Sequence, residues 1–163
     1  MITIYFEAGE ELTLPLASFA GSNFRGLELH RAIFDRLDLA GADFTGANLR
    51  NASFRCSVLD AVLMDGAALM NAVFIDASMF RVQFLGAIAA YADFSGADIS
   101  FGNLKGADIG GSSFVGANLR DANLDVKRIE GAIFQGAIYN DKTVWPKNFV
   151  PEDFGAIKAL DEV

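Results

Sequence analysis

Apolar residues recur along this chain every five positions, a spacing that matches neither an α-helix nor an extended strand. From Phe19 to Tyr139 the 25 positions at this spacing hold ten Phe, eight Leu, three Ile, two Met, one Tyr and one Ala. Two residues before each large residue, sixteen of the 25 positions are Ala and three are Ser, and two residues after it twelve are Gly. Each group of five is therefore predicted to point one large and one small side chain inward and three side chains outward.

A longer period of twenty residues is superimposed on the period of five. Phenylalanine occupies every fourth large position in the series Phe34, Phe54, Phe74, Phe94, Phe114 and Phe134. This register is expected if the backbone returns to the same place every twenty residues and stacks a ring there. Fixed internal repeats of this length indicate a solenoid. We predict that these six rings form the structural core ladder of the fold.

The repeating units have a recognisable composition. Ala42-Asp43-Phe44-Thr45-Gly46 and Ala47-Asn48-Leu49-Arg50-Asn51 are clear examples. In this feature the chain resembles the pentapeptide-repeat family, whose motif is A(D/N)LXX, over residues 17–141. The resemblance implies an all-β fold, a right-handed quadrilateral parallel β-helix in which four units form the four sides of one coil. The repeats then make about six coils, and stacking at ~4.8 Å per coil gives a rod on the order of 30 Å long.

The two flanks depart from the repeat and are predicted to be caps. Residues 1–16 alternate apolar and polar side chains on either side of Ala8-Gly9-Glu10, which predicts one or two short strands covering the open edge of the first coil. Within the repeat, Lys127 falls at a small inward position. Because an inward ammonium group is costly without a partner, we predict a bulge or a local outward turn around residues 126–130.

Residues 142–163 are predicted to form a C-terminal cap with a short helix. Pro151 followed by two acidic residues is a helix-start pattern. Helical spacing then places Phe154, Ile157 and Leu160 on one face, which is expected to cover the last coil together with Trp145 and Phe149. A dimerisation helix is the alternative. The predicted organisation is thus 1–16 as N-terminal cap strands, 17–141 as the β-helix and 142–163 as the C-terminal cap.

Composition argues against most chemical functions. The 163 residues carry a net charge of −8, which disfavours direct binding of nucleic acid. His30 and Cys56 are the only residues of their kinds, so one chain lacks the ligands and nucleophile pairs of His/Cys metal and catalytic sites. We therefore expect no enzyme activity, cofactor or metal. The absence of a long apolar run and of a signal-peptide pattern predicts no membrane association and a cytoplasmic location.

Apolar side chains at outward positions are the main departure from the family pattern. They cluster between residues 58 and 101, and Met70, Ile75, Phe80 and Leu85 fall at equivalent places on four successive sides, forming a belt. Phe80 and Phe101 share a side on adjacent coils. The candidate partner surface comprises Met70, Ile75, Phe80, Leu85, Tyr91 and Phe101, because contiguous apolar area usually marks contact. Scattered surface residues and local slippage of the register are the alternatives.

These observations favour a non-enzymatic module that binds an unidentified protein partner or a second copy of itself. The alternative is a DNA-mimicking inhibitor or protector of DNA gyrase, like the quinolone-resistance members that the resemblance brings in. The repeat region carries fourteen acidic and ten basic residues, a net charge of only −4, which disfavours a mimic of a polyanion.

Overall fold

The backbone pairs with itself in parallel bridges, which join one residue in every five to the residue twenty positions later. The computed structural model describes residues 1–160. The bridges run without interruption from Asn23↔Asp43 to Asn118↔Ile138, one per side of the winding. The chain is therefore a β-helical solenoid whose turns stack directly on one another.

Four of the five backbone N–H groups in a regular repeat donate to backbone carbonyls, as those of Ala42, Asp43, Phe44 and Gly46 do. The N–H of the large residue donates to a carbonyl on the next turn, as Phe24 does to Asp43 at 2.7 Å, and the corner N–H does the same, as Gly26 does to Thr45 at 3.0 Å. The small residue closes a tight turn, as Ala42 N–H does on the Leu39 carbonyl at 2.9 Å. Only the residue after the large one lacks a backbone acceptor, which leaves that N–H for a side chain.

The interior holds the column of rings Phe34, Phe54, Phe74, Phe94, Phe114 and Phe134, all of them fully buried. Neighbouring rings of this column are stacked, with centroids 4.8–5.2 Å apart and planes within 14° of parallel. A second column starts with Phe24 and Phe44, also stacked, at 4.8 Å. This spacing matches the distance between paired strands, so each turn adds one ring to the column.

The corners between sides explain the glycine preference. Every corner from Gly21 to Asp121 has φ between 54° and 70°, the left-handed region that L-residues with a side chain seldom adopt. Glycine adopts this conformation without steric cost, whereas arginine, aspartate and aromatic residues adopt it here only because the bridges on both sides fix the backbone.

Two antiparallel strands cover the first turn, in agreement with the predicted N-terminal strands. Strands β1 (Ile2–Phe6) and β2 (Glu11–Leu14) form a hairpin that turns at Gly9, where φ is 87°. Strand β1 also pairs antiparallel with β3 (Ala32–Ile33) on the first turn. The hairpin thereby supplies partners to an edge that would otherwise expose unpaired backbone groups.

The bulge predicted around Lys127 is present. Here the Val126 N–H donates to the Leu124 carbonyl at 2.7 Å. The Lys127 N–H donates to the Ala107 carbonyl of the previous turn at 2.8 Å, a bond that the regular repeat would assign to the next residue, Arg128. Val126 packs against the core and Lys127 is exposed. The ammonium group therefore stays in solvent.

The prediction of a helix running towards Leu160 is wrong. Residues Pro151–Phe154 form a single 3-10 turn, which ends at Gly155 with φ 83°. Strand β5 (Ile157–Lys158) then pairs parallel with β4 (Ile138–Tyr139) on the last turn, because the carbonyls of that open edge accept the N–H groups of Ile157 and Ala159. Backbone pairing with the edge therefore prevails over the helical pattern, and the proposed helix face of Phe154, Ile157 and Leu160 is exposed.

Aromatic residues cover the end of the phenylalanine column. Trp145 and Phe149 contact Phe134 with centroid distances of 5.2 and 5.6 Å. The Tyr139 hydroxyl donates to the Glu152 carboxylate. Burial, together with this hydrogen bond, raises the pKa of Tyr139 to about 12, and the same bond lowers the pKa of Glu152.

No helix within residues 1–160 is long and apolar enough to cross a bilayer.

Candidate functional site

The apolar belt surrounds the rod and does not form one flat patch. Met70, Ile75, Phe80 and Leu85 each follow a large inward residue, on four successive sides. The first three are half-buried and Leu85 is 49% exposed. The bridges keep their register throughout residues 58–101, so local slippage of the register does not account for these side chains.

Three side chains of adjacent turns meet at one corner. The rings of Phe80 and Phe101 are in edge-to-face contact with centroids 5.4 Å apart, and the Arg81 guanidinium lies over the Phe80 ring at 5.0 Å. Phe101 remains 49% exposed. We call Phe80, Arg81 and Phe101 the aromatic corner. It presents an apolar surface with one cation at its border, a combination enriched where proteins bind one another.

Tyr91 lies at a different corner, half a turn of the chain from Phe101. It is 66% exposed, and its ring lies flat across Gly111 of the next turn. A Cβ at Gly111 would stand 2.5 Å from the Tyr91 Cε1 atom, so a side chain there would displace the Tyr91 ring from this place. The structure therefore does not bring Tyr91 together with the aromatic corner.

Tyr91 and Phe101 both adopt the left-handed backbone conformation, which is unfavourable for aromatic residues. The φ angles are 60° for Tyr91 and 59° for Phe101. Left-handed backbone costs a residue with a Cβ roughly 1–2 kcal/mol. Asn71 and Gly111 occupy the corners before and after Tyr91, which shows that the backbone itself does not require an aromatic residue there.

Most of the aspartates are committed to the backbone. Where Asp or Asn precedes the large residue, its side chain accepts the remaining N–H, as Asp43 does from Thr45 at 2.9 Å. Burial acts to raise the pKa of Asp43, but hydrogen bonds from Thr45 and Arg25 outweigh it and lower that pKa.

Sequence reasoning missed a second aspartate position. Asp35, Asp60 and Asp65 each follow a large inward residue. One turn later, at 2.9–3.1 Å, each accepts the backbone N–H of a residue in a repeat that has no Asp or Asn of its own before its large residue. The signal was present in the sequence: Ser53, Ser78 and Gln83 stand where Asp or Asn is expected, and an Asp lies eighteen residues before each. These carboxylates therefore join one turn to the next through the backbone.

Other chemically reactive side chains are isolated. His30 contacts Asn51 at 3.2 Å, and Cys56 is an exposed corner residue. Within residues 1–160 there is no cluster of three or more metal-ligating side chains, and no cavity opens on the surface.

The family model for pentapeptide repeats matches the chain in eight copies, over residues 16–51, 77–114 and 103–138. The chain belongs to the pentapeptide-repeat family. No curated protein matches it. A solved structure of similar fold is HetL, a pentapeptide-repeat protein involved in heterocyst differentiation regulation in the cyanobacterium Nostoc sp. strain PCC 7120. It is 26% identical, with a TM-score of 0.55, and the match covers 80% of this chain and 62% of HetL.

Two further pentapeptide-repeat structures match at lower identity. Rfr23 from the cyanobacterium Cyanothece 51142 is 21% identical with a TM-score of 0.45, over 77% of this chain and 89% of Rfr23. QnrB1, a plasmid-mediated fluoroquinolone resistance protein, is 14% identical with a TM-score of 0.49, over 86% of this chain and 85% of QnrB1. This pentapeptide-repeat protein spans less than two thirds of HetL, so its likeness to HetL concerns the fold.

Proposed function

We propose that this pentapeptide-repeat protein is a non-enzymatic cytoplasmic module. It binds a protein partner through two exposed aromatic side chains at corners of the rod, those of Tyr91 and Phe101. The observation that carries the proposal is the exposure of Tyr91 and Phe101 at corners where glycine would be the less strained residue. We also propose a right-handed winding of about six coils, with residues 1–16 and 142–163 as caps of the 17–141 β-helix. Residues 161–163 of the proposed C-terminal cap lie outside the residues that the structure describes.

A binding role explains why strained positions retain large apolar side chains. An exposed aromatic ring contributes little to folding, and at φ near 60° it carries a backbone cost as well. The same ring, rigid and already held in place by Phe80 or by Gly111, loses little conformational freedom when a partner covers it. The involvement of HetL in heterocyst differentiation regulation supports a non-catalytic module of this kind.

We expect Tyr91→Gly and Phe101→Gly to leave the free energy of unfolding unchanged or to raise it by up to about 1 kcal/mol, because each relieves a left-handed backbone. Urea unfolding measures this effect. The same variants are expected to lose partner proteins that the wild type recovers from an extract of its host, or to lose self-association in sedimentation equilibrium if the partner is a second copy.

The matched control is Ala61→Gly, at the corner aligned with Arg81 one turn earlier and with a φ of 55°. It makes the same backbone change without removing an aromatic ring, and it should keep both partner recovery and self-association. The proposal is wrong if the aromatic variants recover the same proteins and show the same mass as wild type. A stability loss above about 1 kcal/mol would instead show that the rings serve the fold.

The gyrase alternative is not favoured by the surface charges. A mimic of DNA needs a continuous run of acids, whereas Asp43 and Asp108 form ion pairs with Arg25 and Arg128, at 2.9 Å in both cases. We expect an excess of the protein to leave the supercoiling activity of purified DNA gyrase unchanged, with and without a quinolone. Inhibition or protection that depends on protein concentration would establish the alternative.

A further inference from the structure

Four arginines on the first two turns have no anionic partner. Arg25 and Arg128 form ion pairs, but within residues 1–160 no ion pair involves Arg31, Arg36, Arg50 or Arg55. All four side chains are exposed. We call these four residues the arginine patch. Unpaired like charges repel one another, so this grouping is unexpected in a chain whose net charge is −8.

The winding brings the four arginines together on one side of the rod. Arg31 and Arg36 are its two successive corners on one turn. The Arg31 N–H donates to the Arg50 carbonyl at 2.9 Å, and the Arg36 N–H donates to the Arg55 carbonyl at 2.9 Å. The backbones within each pair are thus in direct contact, and the two pairs lie at successive corners of the rod.

The acids near the patch form no ion pair with its arginines. The Asp35 Oδ1 atom accepts the Ser53 hydroxyl at 2.5 Å and the Arg55 N–H at 2.9 Å, which directs this carboxylate towards the backbone. The Glu28 carboxylate accepts the Asn48 amide at 2.6 Å. Glu7, on the N-terminal hairpin, contacts Arg31 through its backbone N–H at 3.2 Å and forms no ion pair with it.

The next turn changes this surface from cationic to apolar. The Asn51 N–H donates to the Met70 carbonyl and the Cys56 N–H donates to the Ile75 carbonyl, which aligns Met70 above Arg50 and Ile75 above Arg55. Both apolar side chains are half-buried. Over the ~4.8 Å between turns, each column therefore passes from a guanidinium to an aliphatic side chain.

We propose that the arginine patch binds an acidic segment of a partner protein, whose carboxylates pair with the guanidiniums and whose neighbouring apolar side chains pack on Met70 and Ile75. Arginine presents a planar fork of donors that matches a carboxylate in two parallel hydrogen bonds. Nucleic acid fits less well, because it offers no aliphatic side chains and would meet the acids of the later turns.

This proposal concerns a surface separate from the aromatic corner, and its test does not depend on that site. A fluorescein-labelled peptide of consecutive glutamates ending in leucines is titrated with the full chain at low salt, and binding is followed by fluorescence anisotropy. We expect Arg50→Glu/Arg55→Glu to weaken binding by at least about tenfold. Wild-type binding should weaken as salt is added.

The matched control is Lys105→Glu/Lys147→Glu, which changes the net charge by the same amount at exposed positions outside the patch. It should keep wild-type affinity within about twofold, as should Tyr91→Gly and Phe101→Gly. Arg50→Gln/Arg55→Gln replaces the charge reversal if urea unfolding shows that the reversed variant does not fold.

Three results would overturn the proposal. The first is that the wild type does not bind the peptide, and the second is that the arginine and lysine double variants lose peptide affinity equally. The third is that the wild type binds a single-stranded oligothymidylate more tightly than the peptide, and that the same arginine changes abolish this binding. The last would assign the patch to nucleic acid.

Discussion

Replacing Phe94 with alanine is expected to lower the free energy of unfolding by about 3–5 kcal/mol. The Phe94 ring is fully buried and stacks on Phe74 at 4.9 Å and on Phe114 at 4.8 Å. Truncation removes the burial of one ring and both stacked contacts, and the neighbouring turns cannot close the cavity because their backbones are fixed by the bridges. Natural domains have only about 5–15 kcal/mol of stability, so the loss is large.

Urea unfolding followed by circular dichroism measures this loss, with the slope of the transition checked for constancy. Phe101→Ala is the matched control, since it truncates the same residue type at a half-exposed corner of a neighbouring turn. We expect it to cost less than about 1 kcal/mol. Equal losses in the two variants would show that Phe94 is not held in a closed column.

The sequence predicted the family and the β-helical fold because both depend on register. A residue type that recurs every twenty positions needs a backbone that returns to one place, and this holds whatever the details of each corner. The N-terminal hairpin was predictable for a similar reason, because its alternating side chains and its Gly9 turn are local signals.

The C-terminal flank was harder to predict because local and tertiary forces oppose each other. Pro151, Glu152 and Asp153 do begin a helical turn, yet the open edge of the last turn offers carbonyls that no helix could satisfy. Helix propensity is worth only tenths of a kcal/mol per residue, so pairing with the edge prevails. This competition depends on where the edge lies, which the local sequence does not specify.

Packing compensation between turns also escaped sequence reasoning. Val82 occupies a small inward position, and Gly102 stands at the same place one turn later. A Cβ at Gly102 would lie 3.2 Å from the Val82 Cγ1 atom and 2.8 Å from the Ile99 carbonyl oxygen. The larger side chain of Val82 on one turn is thus compensated by the missing side chain of Gly102 on the next. This compensation can be recognised only when the twenty-residue register is combined with interior distances.

The candidate surface was partly predictable for the same reason as the fold. Register alone spreads Met70, Ile75, Phe80 and Leu85 over four sides. The contact of Arg81 with Phe80 and the support of Tyr91 by Gly111 depend on side-chain directions that a linear pattern does not contain. The arginine patch likewise depends on which acids are already engaged by backbone groups.

Deleting one whole revolution should be far less harmful than deleting almost one. Removal of residues 63–82 joins Val62 to Gln83, the residue that normally follows Val82, and places Phe94 directly above Phe54. Because each turn contacts only its neighbours, the shortened protein loses about one turn's share of stability and keeps its register. Removing residues 63–81 shifts every later residue by one position, which turns the large inward side chains towards solvent.

The most direct test of the twenty-residue winding is urea unfolding of these two deletion variants side by side. A winding of twenty residues per turn predicts a cooperative transition for the variant lacking residues 63–82, with a smaller slope because less surface is exposed on unfolding. We expect no cooperative transition for the variant lacking residues 63–81. Comparable transitions in both variants would show that the positions of the core and surface residues do not depend on a winding of twenty residues per turn.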